Sequence, residues 1–437
     1  MADVSDVDRS MGIGRLTQSE IFRDGASGRR PRVPASWEAL EDAARNAMTP
    51  EAWAYVAGSA GRESTADANR TAFARHRILP RILRDVTDRD LGIELFGHRY
   101  PAPLLAAPVG VLELVHPDAD LAIARAAAAL GLPAVLSNQA SIPMETVAAK
   151  GGRGPLWFQL YWSKSDELVA SLLARAEAAG AHAIVVTLDT QLLGWRPRDL
   201  DLAHLPFIHG MGIAQYSSDP VFRRLVAERM AARVAAPEAA GPRPRVTPAA
   251  IRTLLGMTRR YPGRFAANLR SGEPRIAVET FLDVFSRADL SWADLPRLRE
   301  LTRLPIVLKG VQHPDDARRA LDAGVDGVWV STHAGRQVDG AIGAPDALPG
   351  VVEAVGGRMP VILDSGVRGG SDALIALALG ATAVAVGRPW VYGMAIAGEE
   401  GAREVLRNLL AEFDLALALS GHRSPADLGP EALAPRG

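Results

Sequence analysis

Between Pro305 and Thr332 the chain reads PIVLKGVQHPDDARRALDAGVDGVWVST. Two short apolar runs, PIVLKG (Pro305–Gly310) and GVWVST (Gly327–Thr332), flank a polar turn and an Ala- and Leu-containing stretch of helical character. The runs are apolar almost throughout instead of alternating with polar residues. That is the pattern of parallel strands covered on both faces, with a helix as the crossover between them.

The same unit recurs outward in both directions. Six further runs, LLAAPV (Leu104–Val109), AVLSN (Ala134–Asn138), LWFQLY (Leu156–Tyr161), AIVVTLD (Ala183–Asp189), PVILDS (Pro360–Ser365) and AVAVGR (Ala383–Arg388), are each followed by room for a helix. Eight such units predict an α/β fold, a closed (β/α)8 TIM barrel, rather than an open doubly wound sheet. A Rossmann-like sheet would want G-x-G-x-x-G after its first strand, where this chain has APVGVLELVHP.

The spacing breaks once. Residues 191–304 separate the fourth and fifth runs, whereas a βα unit takes about 30 residues. A long insertion therefore follows strand 4, with residues of about 201–290 expected to form a lid-like segment over the mouth of the barrel. Its Pro-, Ala-, Arg- and Gly-rich parts, AARVAAPEAAGPRPRVTP and RRYPGRFAANLRSGEP, predict mobility, and a function-free loop is the alternative. Residues 1–35 are polar and are expected to form a loose N-terminal arm. Helices are predicted at Trp37–Asn46 and Pro50–Ala57, and residues 36–437 are expected to make up a single barrel domain.

Bulk composition narrows the functional classes. Hydrophobic residues make up 48% and charged residues 23% of the 437, which suits a globular protein with a large core. The formal net charge of −1 gives no bulk attraction to nucleic acid or to an anionic membrane. The absence of cysteine excludes disulfides, thiolate nucleophiles and cysteine-ligated metal. No apolar run approaches the roughly 20 residues of a membrane helix, and the first residues lack a secretory pattern. A cytoplasmic protein is expected, which makes the Asn69-Arg70-Thr71 sequon accidental.

Polar residues gather where the strands end: Ser137 and Asn138, Gln159 and Tyr161, Thr187 and Asp189, Lys309, Ser331 with His333 and Arg336, Asp364 with Arg368, and Gly387 with Arg388. Converging on one mouth, they suit a large polar ligand. The loops DSGVRGGSD (Asp364–Asp372) and VGRP (Val386–Pro389) follow strands 7 and 8, the usual phosphate site of this barrel. There Gly366, Gly369 and Gly370 allow close backbone approach, and Arg368 and Arg388 supply charge. Lys309, ending an apolar strand, reads as an anion contact, a Schiff-base amine or a salt-bridged structural residue. His333 with Asp189 would make an oriented base, and Arg336 and Arg196 two planar forks for a carboxylate. His116 and His313 each precede Pro-Asp and read as helix-start punctuation. The remaining histidines lack ligand-like spacing, so no metal site is expected.

From about Glu41 to Ser424 the chain resembles the FMN-dependent 2-hydroxy acid oxidases and dehydrogenases. The segments that carry the resemblance are WFQLY, VTLDT, PIVLKG, STHAGRQVDG, DSGVRGG, ALALGATAVAVGRP and EFDLALALSGHRS. It implies FMN as cofactor, a small 2-hydroxy acid and O2 as reactants, and a homotetramer. It puts the flavin phosphate on Gly387, Arg388 and the backbone near Gly366 and Arg368, with Asp364 on the ribityl chain. Gln159, Thr187 and Ser137 are expected on the isoalloxazine with Pro108, Val109, Gly110 and Ser331 nearby, and Lys309 facing N1 and O2. His333 takes the place of the family base and Asp189 that of its partner. Arg336 and Arg196 correspond to the carboxylate clamp, and Tyr55 and Tyr161 to the substrate-contacting tyrosines.

Three departures from the commoner pattern bear on chemistry. N-H-G around the base is here Thr332, His333, Ala334; a Trp after strand 2 is Gln139; and P-T-A after strand 1 is Pro108, Val109, Gly110. The segments APVGVLELVHPDADLA and WRPRDL and the insertion look most like lactate 2-monooxygenase, which implies conversion of L-lactate and O2 to acetate, CO2 and water. A simple oxidase, or a dehydrogenase with another acceptor, shares the same residues. Two readings of other kinds are a Schiff-base aldolase using Lys309 and a barrel without catalysis, though the latter would be expected to lack His333 or an arginine of the clamp.

Overall fold

The computed structural model describes residues 12–235 and 246–434. Its centre is a ring of eight strands: β1 (Leu104–Ala106), β2 (Ala134–Leu136), β3 (Leu156–Leu160), β4 (Ile184–Thr187), β5 (Ile306–Val311), β6 (Gly327–Val330), β7 (Val361–Leu363) and β8 (Ala383–Val386). Each strand pairs in parallel with its neighbours, and β8 closes on β1 through Val384↔Leu104 and Val386↔Ala106. The expected closed (β/α)8 barrel is the fold, with its strands in the expected order.

The continuous apolar runs are explained by what lies on either side of them. Successive residues of a strand point to opposite faces. In β5, Ile306 and Leu308 face the helices, and Val307 faces the barrel axis. In β6, Val328 and Val330 face outward and Trp329 inward. Trp157 and Trp329 fill the axis, both fully buried. A hairpin of Ile93–Leu95 and His98–Tyr100 closes the N-terminal end, packing Leu95, Tyr100 and Phe96 under the same cluster. With its lower end plugged in this way, the barrel opens toward its C-terminal mouth.

The predicted N-terminal helices form at Trp37–Ala47 and Pro50–Ala57. Thr49 caps the second, its hydroxyl accepting from Ala52 N at 3.2 Å. The loose arm expected over residues 1–35 is corrected in its described part, because Gly12–Ala26 is a helix packed along the C-terminal helix Arg388–Leu419. Gly14 N donates to the buried Asp414 carboxylate at 2.9 Å, and Arg407 pairs with Glu20 at 2.9 Å. A Cβ at Gly14 would lie 2.7 Å from Ala411 O, so this glycine lets the two helices pack closely. Residues 1–11 lie outside the described part.

The insertion is largely helical, with Pro220–Ala235, Pro248–Arg260, Phe265–Ser271 and Glu273–Val284 between β4 and β5. The segment RRYPGRFAANLRSGEP, read from composition as mobile, is tied internally by Asn268. Its Nδ2 contacts the carbonyls of Thr258, Tyr261 and Pro262 at 3.4, 3.0 and 3.3 Å. Composition misleads here because Pro248 and Pro274 sit in first helical turns, where no amide hydrogen is needed. Residues 236–245 of the other Pro-rich segment lie outside the described part. Asn69 of the sequon is buried, with both ends of its amide bonded inside the protein.

Candidate active site

A cavity of about 340 Å³ opens at the C-terminal mouth of the barrel. Its wall gathers Tyr55, Pro108, Val109, Gly110, Ser137, Gln159, Tyr161, Thr187, Arg196, Lys309, His333, Arg336, Asp364, Gly366, Arg368, Gly387 and Arg388. These residues span most of the chain, and the parallel barrel brings them together because every strand ends at the same mouth. Two expected site residues stand behind that wall. Asp189 backs His333. Ser331, expected to touch cofactor, is fully buried, and its Oγ accepts from Lys309 Nζ at 2.7 Å and His333 N at 3.0 Å.

His333 follows β6 in a turn whose residues His333, Ala334 and Gly335 all have positive φ, at 53°, 56° and 78°. The Ser365 hydroxyl holds this costly backbone, accepting from Thr332 N at 3.2 Å and Ala334 N at 3.0 Å. The imidazole Nδ1 lies 2.8 Å from Asp189 Oδ1. Burial alone would push the Asp189 carboxyl up, but His333 and Lys309 overcome it and hold the group at about 2. An ionised carboxylate only accepts, so Nδ1 carries the hydrogen and Nε2 keeps its lone pair. Burial pushes the His333 imidazole below its usual range despite Asp189 beside it. The resting pair is therefore a carboxylate and a neutral imidazole.

The two predicted clamp arginines share one side of the cavity. Arg336 lies over the Tyr55 ring at 4.9 Å, with Nη1 bonded to the carbonyls of Tyr55 and Gly58. Arg196 donates from Nε to Arg336 O at 3.2 Å and from Nη2 to Gln337 Oε1 at 2.8 Å. Neither is ion-paired with a carboxylate among the described residues. Burial, and then Arg336, bring Arg196 down to about 10. A buried Arg196 beside a half-buried Arg336, neither with a carboxylate partner among the described residues, makes a site for an external anion. Tyr161 stands near Asp189, and burial raises its phenol above the usual range.

At the other end, Arg368 stacks on Trp37 at 4.6 Å, and burial lowers it to about 10. Arg388, expected to meet a phosphate, spends most of its guanidinium on protein. Nε donates to Val56 O at 3.0 Å, Nη1 to Ala334 O at 3.2 Å, and Nη2 to Gly58 O and Ser59 Oγ at 3.0 Å each. Gly366 has φ +98°, and a Cβ there would be 2.9 Å from Asn69 O. Gly387 opens the helix Arg388–Leu419, whose first-turn amides have no intrahelical acceptor.

Lys309 is engaged by Ser331 and by Asp364 Oδ2 at 3.2 Å, the partners of an ammonium rather than of a free nucleophilic amine. Gln159 Nε2 and Thr187 Oγ1 are buried and have no partner among the described residues. Buried donors of this kind call for a partner, and both sit on the cavity wall. A flat ring with polar edges at one end and a phosphate at the other answers both demands, so the residues fit FMN.

Four contributors escaped the sequence reading. Thr190 Oγ1 donates to Asp189 Oδ1 at 2.9 Å, and Ser365 holds the base turn as above. Asn69 Nδ2 donates to Thr332 Oγ1 at 2.8 Å, which is how threonine is accommodated before the base. Gln337 bonds to Arg196. Thr190, Gln337 and Ser365 adjoin Asp189, Arg336 and Asp364 in sequence, a signal that could have flagged them; nothing local marks Asn69. The insertion contributes Leu193, Phe207 and Phe285 to the wall. A Cβ at Gly110 would be 3.0 Å from Gln139 Cβ and O, so this glycine lets the loop after β1 approach the one after β2.

Residues 44–435 match the family model described as FMN-dependent dehydrogenase. The chain is 40% identical over 417 residues to the FMN-dependent alpha-hydroxy acid dehydrogenase qulF of Penicillium citrinum, covering 95% of this chain and 94% of the relative. It is 39% identical over 408 residues to the L-lactate oxidase of Lysinibacillus sphaericus (strain C3-41), covering 93% and 94%. Among solved structures, mandelate oxidase with (S)-4-hydroxymandelic acid superposes with a TM-score of 0.73 at 35% identity, covering 92% of this chain and 98% of the other.

Proposed function

The chain belongs to the FMN-dependent dehydrogenase family, and from that premise we propose that it oxidises L-lactate at FMN by the 2-monooxygenase route. The balanced reaction is L-lactate plus O2 to acetate, CO2 and water. FMN supplies the two-electron acceptor for the substrate's C2 hydrogen and the route by which electrons reach O2. The observation that carries the reading is the meeting, in one cavity, of an oriented neutral imidazole with the guanidinium groups of the buried Arg196 and the half-buried Arg336, which have no carboxylate partner among the described residues.

Arg196 and Arg336 bind the substrate carboxylate, and Tyr55 and Tyr161 flank it. His333 Nε2 takes the 2-hydroxyl proton. Asp189 stabilises the imidazolium so formed and fixes the ring through Nδ1. Lys309, Gln159, Thr187 and Ser137 line the ring of FMN, and Arg368, Gly366, Gly387 and the first turn of Arg388–Leu419 receive its phosphate. Leu193, Phe207 and Phe285 roof the site with apolar surface, and the insertion acts as the lid. The oxygenase outcome is supported by the sequence pattern around Gly110, Trp195 and the insertion.

The second reading is an L-lactate oxidase giving pyruvate and H2O2, favoured by relatives bearing that name. Holoenzyme mixed anaerobically with L-lactate should lose its flavin colour, and admitting air should then yield acetate. Pyruvate with stoichiometric peroxide would select the oxidase, and an unbleached flavin would remove both readings. A homotetramer is part of the proposal, supported by the exposed Leu192, Trp195, Val338 and Ile342 on the β4 and β6 loops. Light scattering at the monomer mass of 46.4 kDa would exclude it.

A further inference from the structure

The segment after β4 presents a contradiction. Leu192 and Trp195 are 72% and 73% exposed, yet Arg196 beside them is 7% exposed and lies against a second guanidinium. Something must hold this outward-facing stretch while its arginine turns inward. No carboxylate among the described residues does so, since Arg196 is bonded to Arg336 O and Gln337 Oε1.

All four hydrogen-bonding positions of the Gln337 amide fall on residues 189–196. Oε1 accepts from Arg196 Nη2 at 2.8 Å and from Gly194 N at 3.4 Å. Nε2 donates to Asp189 O at 2.8 Å and to Leu192 O at 2.9 Å. The orientation of the amide is fixed by its partners, because reversing it would set NH2 against two donors and oxygen against two carbonyls. The backbones also press together here. A Cβ at Gly194 would lie 2.5 Å from Arg336 O and 2.7 Å from Gln337 O. The segment therefore wraps around Gln337 with little room to shift.

Asp189 and Arg196 sit at the two ends of that wrap, one behind the imidazole and the other in the anion clamp, and Gln337 itself follows Arg336. We infer that Gln337 is a positioning residue that sets the anion clamp and the base pair in a common register, so that bound carboxylate and proton acceptor are placed by the same side chain. This rests on the functional reading given above. A glutamine that served only to stabilise the loop would affect folding without touching both functions. A glutamine that served the clamp alone would change anion binding and leave the chemical step intact.

The test uses holoenzyme of Gln337→Met, which keeps the volume and removes the four bonds. Gln337→Glu, which keeps the acceptors but has no hydrogens for Asp189 O and Leu192 O, provides a second, better-solvated variant should the first fail to fold. Two quantities are read per bound flavin: the Kd for oxalate, a carboxylate that cannot be oxidised at C2, from flavin absorbance, and the limiting anaerobic bleaching rate with L-lactate. Loss of hydrogen bonds to a charged group predicts a Kd raised about 10- to 100-fold, accompanied by a fall in the bleaching rate of about tenfold or more. A change in Kd alone, or losses in melting temperature and flavin content with both quantities unchanged, would overturn the inference. If lactate fails to bleach the wild type, the functional reading falls. An unchanged oxalate Kd in the variants then overturns this inference as well, and a raised one leaves the clamp half of it standing while removing the coupling to the base.

Discussion

His333 Nδ1 and Asp189 Oδ1 are 2.8 Å apart, a bond that joins the mouth of β6 to that of β4. It fixes the tautomer of His333, the proposed base, and the burial that lowers its pKa favours the neutral imidazole. We predict that the anaerobic bleaching rate rises with pH through a value below the ordinary 6.5 and is flat above it. His333→Ala should bind FMN and not bleach. Asp189→Asn removes the charge that favours the imidazolium, so the rate should fall by about 10²-fold or more, and the acid limb should move to lower pH. An acid limb that stays in place in Asp189→Asn, measured by stopped flow, would separate the two residues.

Arg336 holds two backbone carbonyls with one nitrogen while its plane covers the Tyr55 ring. A lysine is a point charge without that fork. We expect Arg336→Lys to retain FMN and to raise KM about 10- to 100-fold, the cost of a lost charge-assisted hydrogen bond. Steady-state kinetics over a range of lactate concentrations decides, and an unchanged KM would remove Arg336 from the clamp.

Gly366 combines φ +98° with a 2.9 Å approach to Asn69 O. Alanine must either strain there or push the backbone away from the cavity. Gly366→Ala should lose about 1–3 kcal/mol of stability and release FMN more readily during gel filtration. Wild-type melting together with full flavin retention would show that the turn tolerates a side chain.

Asp120 is buried behind the loop that carries Gln139, its Oδ2 accepting from Ser141 N at 2.8 Å and Ile142 N at 3.0 Å. Burial outweighs these bonds and pushes its carboxyl up to about 7. A raised folded pKa contributes stability that is complete below the unfolded value near 3.8 and is lost as pH rises through about 7. Asp120→Asn should therefore flatten the dependence of melting temperature on pH between 5 and 8. Equal slopes in variant and wild type would place the carboxylate elsewhere in the balance.

The eight strands were legible because an apolar run needs only its immediate neighbours to announce burial on two faces, as in Val328 to Val330. The residues proposed as base and clamp stood out because they lie at the ends of those runs. The helix Gly12–Ala26 was not, since its reason for folding is Asp414, about four hundred residues away. Ser365 and Asn69 were missed on the same physical ground. Their hydrogen bonds to the β6 turn depend on how separate loops meet, and no local pattern encodes that meeting. Arg388 was expected at the phosphate end for its charge, and its four bonds to protein were not legible.

Those bonds impose a sequence of events on biosynthesis. Arg388 ties Val56, Gly58 and Ser59 to Ala334, so the floor of the site joins residues from near both ends of the chain and from the turn after its sixth strand. Such long-range closure is slow in folding terms. A nascent chain stalled before residue 388 can possess His333, Asp189, Arg196 and Arg336 and still lack the fastening that draws them together. Cofactor capture is then a late step, and a truncated product missing the last helix should emerge colourless.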